Sequence, residues 1–287
     1  MASRARSILV TTGKLALFIL VFAAMSSITL LPQFLLFDDW ADGSPRLAQL
    51  AADLGGAVAI LAATWIMLRF VDRRPFVSIG FKPGNARRDV AFGVLIGCAW
   101  LAVSIGFALL AGWARPRDPV GISVALLALA AVSTLLNVLT QQLMLCGYIL
   151  QTLRDSAGTV AAVILAAGLF ALLHIGGFDG AWLPPVNVFL AGLLFCLAYL
   201  ATSNLWLPIG IHFGWNFLLG PVAGLTVSGT GQLGLGWQLF ELEGPALMTG
   251  GEFGLEGGLV VTTMTAAVIA AIYAAIRKPP AEPAPEP

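Results

Sequence analysis

The chain has 287 residues, 59% of them hydrophobic and only 10% charged, with a mean hydropathy of +0.91. An ordinary soluble domain carries about 25% charged residues, so a soluble enzyme is excluded. The 15 basic and 15 acidic residues cancel, and no basic run is present, which removes the electrostatic footprint a nucleic-acid partner needs.

Eight apolar stretches approach the roughly 20 residues a helix needs to cross a bilayer. In chain order they fall near 15–37, 47–70, 90–113, 120–152, 158–177, 186–202, 205–227 and 258–276. The expected fold is all-α, a polytopic membrane bundle of about eight helices in contact with lipid. The fourth stretch is long enough to tilt or protrude. The first follows Lys14 and holds the small residues Ala23, Ala24, Ser26 and Ser27. It exceeds the signal-peptide h-region of about 7–15 residues and reads as a retained helix.

With the N-terminus inside, Arg4, Arg6, Lys14, Arg69, Arg73, Arg74, Lys82, Arg87, Arg88, Arg154, Arg277 and Lys278 fall on inner segments. Only Arg46, Arg115 and Arg117 fall outside. The positive-inside rule then predicts cytoplasmic termini, in a multi-pass protein whose expected setting is a bacterial cell membrane. Cys98, Cys146 and Cys196 lie inside spans, odd in number and without C-x-x-C spacing, and read as free thiols.

The segment 228–257 is rich in glycine and carries Glu241, Glu243, Glu252 and Glu256. It reads either as a flexible outer loop or as a lid or re-entrant piece over a cavity, which glycine permits.

A polar side chain in a bilayer needs a partner or a wet cavity, so the few polar residues in the spans carry the information. The fourth span has Asn137, Thr140, Gln141 and Gln142; the fifth has His174; the seventh has His212 and Asn216. Residues four apart share a helix face, which pairs His212 with Asn216, Phe170 with His174, Asn137 with Gln141, and Gln142 with Cys146. Counting 1.5 Å per residue from the inner helix ends places Gln141 about 18 Å deep, His174 about 24 Å and His212 about 11 Å. One site accommodates that spread only if the helix ends are uneven. Singly, each amide reads as interhelical packing glue. Two histidines on separate helices, one with Asn a turn away, favour a site.

Gln141-Gln142-Leu143-Met144-Leu145-Cys146-Gly147 resembles the E-E-x-x-x-R-G box of the CPBP family, which comprises CAAX-type intramembrane endopeptidases and bacteriocin-processing or Abi-like proteins. Phe170 to His174 resembles its F-x-x-x-H motif, and His212 to Asn216 its H-x-x-x-N motif, approached through Leu205-Trp206-Leu207-Pro208-Ile209-Gly210. The motifs are weak singly and specific in this order. The resemblance divides the chain into N-terminal helices over 1–119, a family-like core over 120–276 with helices four to eight, and a disordered Pro-rich tail over 277–287.

What the resemblance implies is hydrolysis of a peptide bond in a membrane-associated peptide or protein substrate. His174 would help hold the attacking water, and His212 with Asn216 would stabilise the oxyanion. The departure lies where the family has glutamates: Gln141 and Gln142 cannot accept a proton, and Cys146 replaces the arginine. The second glutamate and the arginine of the pattern are spaced as an ion pair, and both charges are gone, as expected of a site relaxed into neutral packing. Activity is therefore expected to be weak or lost. The alternatives are a non-catalytic descendant that binds a peptide, lipid or partner protein, and, behind it, a transporter.

Asp53 is the sole carboxylate expected inside a span. It reads as a helix-end or interhelical bonding group, or as a residue pointing inward. The resemblance also brings a divalent metal such as zinc into view, with His174 and His212 as its candidate ligands. Two histidines and amides offer no anionic ligand, so no cofactor is expected.

Overall fold

The computed structural model describes residues 2–36, 45–118, 121–178, 180–229 and 237–277. The apolar stretches fold as helices because a segment in lipid must satisfy its own backbone groups. In chain order these are α1 (Ala2–Leu36), α2 (Pro45–Asp72), α3 (Ala86–Leu110), α4 (Val124–Ala157), α5 (Thr159–Leu172), α6 (Leu183–Thr202), α7 (Trp206–Phe217) and α8 (Leu259–Arg277). Leu20, Leu95, Leu110, Val124 and Val160 are exposed on the outside, an arrangement suited to lipid. The protein is an all-α integral membrane bundle.

Among the described residues, six of these helices are long and apolar enough to cross a membrane. The other two, α5 with 14 residues and α7 with 12, are shorter than the stretches 158–177 and 205–227. Their local sequence explains the difference. Beyond α5 the chain tightens into a 3-10 turn over Ile175–Gly177. Before α7, Ser203 adopts a left-handed conformation at φ 49° and ends α6. After Phe217 the helix widens into a π turn over Leu218–Val222, which contains Pro221, a residue that has no N–H to donate.

Glycine sets the packing of α3 on α7. A Cβ on Gly93 would stand 2.5 Å from the Leu207 carbonyl oxygen, and one on Gly97 would stand 2.2 Å from that of Ile211. Reciprocally, Cβ atoms on Gly210 and Gly214 would meet the carbonyls of Val90 and Val94 at 2.4 and 2.5 Å. Two Gly-x-x-x-Gly faces thus bring the backbones together, as small residues do between membrane helices. His212 lies two residues from both Gly210 and Gly214, on the opposite side of α7, so this contact turns it away from α3.

Helix α4 also widens into a π turn, over Leu143–Ile149, immediately after Gln141 and Gln142. The Gln151 amide donates to the carbonyls of Gly147 at 2.9 Å, Cys146 at 3.4 Å and Ile79 at 2.9 Å, supplying partners where the regular ladder is interrupted.

A small antiparallel pair joins β1 (Ala114–Pro116) to β2 (Phe240–Leu242), with Arg115 opposite Glu241. Ion pairs Arg115–Glu243 at 2.8 Å and Arg117–Glu241 at 3.2 Å flank it. The Gly-rich segment is thereby tied to the end of α3. Its later part, with Phe253, Gly254, Leu255 and Gly257 buried, packs onto the helices. Residues 237–257 are therefore a folded cap and not a flexible loop; 230–236 and the tail from 278 lie outside the described residues. Arg6, Lys14, Asp72, Arg74 and Asp155 gather at the opposite end of the bundle, around a Lys14–Asp72 ion pair of 2.5 Å.

Candidate active site

Helices α3 to α8 and the cap line a cavity of about 430 Å³ whose wall includes Asn137, Gln141, His174, His212, Asn216 and Glu256. The residues whose depths, counted along the sequence, were uneven line one cavity here. Gln142 and Cys146 are fully buried behind this wall and do not line the cavity.

His212 is buried, stacked on Phe195 with ring centroids 4.5 Å apart, and bracketed by two amides. Its Nδ1 meets Gln142 Nε2 at 3.0 Å, and its Nε2 meets Asn216 Nδ2 at 3.1 Å. A neutral imidazole carries a single N–H, so one of these amides presents a donor to the ring and the other its oxygen. His174 is simpler. Its Nδ1–H donates to the Phe170 carbonyl at 2.8 Å, which fixes the tautomer and leaves Nε2 as an acceptor. Phe170, four residues earlier on α5, thus acts through its backbone as well as its ring.

Gln141 belongs to a chain of polar groups. Its Nε2–H donates to Asn137 Oδ1 at 2.6 Å, and Asn137 Nδ2–H donates to Asp53 Oδ1 at 3.2 Å. Asp53 also accepts from the Ser133 hydroxyl and from Gln49 Nε2 at 3.1 Å. The carboxylate of α2 therefore makes an interhelical bond to α4 and does not enter the cavity. Because every amide in the chain is oriented by the next, the Gln141 carbonyl oxygen has no partner, and Gln142 Oε1 and Trp100 Nε1 are likewise buried without one.

At the position of the family's arginine, the Cys146 thiol lies beside the thiol of Cys196, a neutral contact where the pattern has a charge. All three cysteines are free.

In the sequence Glu256 is one of four glutamates of the Gly-rich segment. In the structure its carboxylate accepts from Trp215 Nε1–H at 2.7 Å and from the Ser228 N–H at 2.5 Å and hydroxyl at 3.2 Å. Its backbone carbonyl accepts from Asn187 at 2.7 Å. Burial pushes its carboxyl up from the ordinary glutamate value, and the Ser228 and Trp215 hydrogen bonds draw it partly back down. The available signal was its setting, Gly254-Leu255-Glu256-Gly257-Gly258, with glycines that tolerate close packing directly before an apolar helix.

Residues 123–218 match a family model described as Type II CAAX prenyl endopeptidase Rce1-like. Over this segment, about a third of its length, the chain is similar to that family. The segment runs from the start of α4 to the end of α7 and so contains Gln141, Gln142, Cys146, His174, His212 and Asn216, while Glu256 falls outside it. Neither the curated proteins nor the solved structures give a match.

The Rce1-like segment does not fit a resident metal. Among the described residues, no group of three or more His, Cys, Asp or Glu side chains is placed to hold an ion. His174 Nδ1 and both His212 nitrogens are engaged in hydrogen bonds.

Proposed function

We propose that the protein is an intramembrane endopeptidase that hydrolyses a peptide bond of a membrane-associated, CAAX-type substrate, slowly for its class. The observation that carries this reading is that His174, in the turn that ends α5, and His212 with Asn216, a turn apart on α7, line one cavity in an Rce1-like segment. The free Nε2 of His174 accepts a hydrogen bond from the attacking water and orients it. Asn216, oriented by its bond to His212, serves the oxyanion through the amide N–H which that bond leaves free, a task that needs donors already in place when charge develops.

Amides at 141 and 142 favour a second reading, a non-catalytic protein that holds a membrane peptide in the same cavity. The two separate in one experiment. Purified full-length protein in proteoliposomes is offered prenylated CAAX peptides and apolar leader peptides, alongside His174→Ala and His212→Ala. The peptidase reading expects cleavage by the natural chain and its loss in both variants. Saturable binding of a peptide that is never cut would replace it with the binding reading.

A further inference from the structure

We propose that Glu256, delivered by the glycine-rich cap, supplies the proton-accepting carboxylate that positions 141 and 142 lack. The inference rests on the peptidase reading and names a catalytic residue for it.

The placement is the argument. Glu256 lines the same cavity as His174, His212 and Asn216, and among the described residues no other carboxylate does. It is held between the elements that carry the histidines. Trp215, which binds one carboxylate oxygen, sits between His212 and Asn216 on α7. Ser228, which binds the other, belongs to a turn packed on Gly177, three residues beyond His174: Gly229 donates its N–H to the Phe253 carbonyl, and a Cβ on Gly177 would stand 2.8 Å from the Ser228 carbonyl.

Asn187 of α6 grips the backbone beneath it, donating to the carbonyls of Glu256 and of Gly258 at 3.0 Å, while Thr262 of α8 donates to Asn187 Oδ1 at 2.6 Å. Carboxylates are mostly solvent-exposed, yet this loop glutamate is only partly exposed. This one is anchored at backbone and side chain, and Oε1 with a single donor keeps a lone pair for the cavity. Burial raises its carboxyl above the ordinary value, which makes it a stronger proton acceptor than a solvated glutamate.

The chemistry balances without a co-reactant beyond water. The water oxygen bonds to the scissile carbonyl carbon as its π electrons move to oxygen, and one water proton passes to Glu256. When the C=O re-forms and the C–N bond breaks, Glu256 returns that proton to the leaving nitrogen. The products are a carboxylic acid and an amine, and Glu256 is again a carboxylate.

The test uses the full chain in proteoliposomes, with the peptides above. Glu256→Gln should lower kcat by about 10²–10⁴-fold with KM little changed, while Glu252→Gln on the same cap keeps full rate. Because Glu256→Gln can loosen the cap, the natural protein is also treated with dicyclohexylcarbodiimide and the modified residue mapped by mass spectrometry. Labelling at Glu256 should proceed in step with loss of cleavage. Complete labelling of Glu256 with cleavage intact, or a folded Glu256→Gln at full rate beside an inactive His174→Ala, overturns the role of Glu256 and leaves the peptidase standing. A natural chain that cuts none of the peptides overturns both.

Discussion

Gly97→Ala probes how the fold positions the site. The added methyl would stand 2.2 Å from the Ile211 carbonyl oxygen and 2.8 Å from the Trp215 nitrogen, both of them backbone atoms that no rotamer change can move aside. Non-bonded heavy atoms settle near 3.5 Å, so α3 and α7 must part by roughly 1 Å. Overpacking of this kind costs about 1–3 kcal/mol. It also carries His212 and Asn216 with α7, and a 1 Å misplacement of catalytic groups costs on the order of 10²-fold in rate. Gly106, on the same helix, has nothing within 4 Å of a Cβ. There the same substitution gains helix propensity, up to about 1 kcal/mol. Melting of the purified protein in detergent, followed by tryptophan fluorescence, should therefore fall for Gly97→Ala and hold or rise for Gly106→Ala, with cleavage lost in the first alone. Equal melting and equal rates in the two variants would refute the argument that the glycine crossing sets the position of α7.

Asp53→Ala leaves the Ser133 hydroxyl and the Asn137 amide without their charged partner, at about 1.5–3 kcal/mol per hydrogen bond, so its melting temperature should drop further than that of Asp53→Asn; indistinguishable melts would show the chain from Asp53 to Gln141 to be idle. Glu256 accepts a proton only as a carboxylate and burial raises its pKa, so cleavage should be complete at high pH and lost as pH falls through a point above the usual glutamate range. Among the described residues His174 and His212 are the other titratable groups of the cavity, and an acid limb that stays in place in Glu256→Asp would belong to them. Cys146→Arg alone should fail to fold, because it buries an unpaired charge at a position with no exposure, whereas the triple change with Gln141→Glu and Gln142→Glu should recover folding and raise cleavage by about 10²–10⁴-fold. Expression and melting of the single and triple variants decide it, and a stable Cys146→Arg would refute the neutral-packing argument.

The helices were legible because lipid demands long apolar runs, and the polar wall was legible because Gln141, His174, His212 and Asn216 stand out against them. Helix ends were less so. Hydropathy continues through Ile175 and Leu218, where the backbone has already turned into a 3-10 turn and a π turn, so α5 and α7 were read as longer than they are. The crossing of α3 and α7 was written in the Gly-x-x-x-Gly pairs at 93 and 97 and at 210 and 214, a signal that a search for polar residues passes over. Glu256 was hidden for a different reason: its partners Trp215, Ser228 and Asn187 come from three separate segments, and nothing local announces their meeting.

The location of that carboxylate follows from the cost of charge in a bilayer. A glutamate on α4 would be buried against lipid-embedded helices and would need a nearby cation. Here Gln142 bonds to His212 as a neutral amide and Cys146 rests on Cys196, so α4 carries no such charge to neutralise. The cap enters from the end of the bundle where Arg115 and Arg117 lie, and its glutamate is solvated by fixed N–H and O–H dipoles from Trp215 and Ser228 in place of a cation. Donors of that kind stabilise a carboxylate without locking it into an ion pair, and so leave it able to take up a proton and release it again within one turnover.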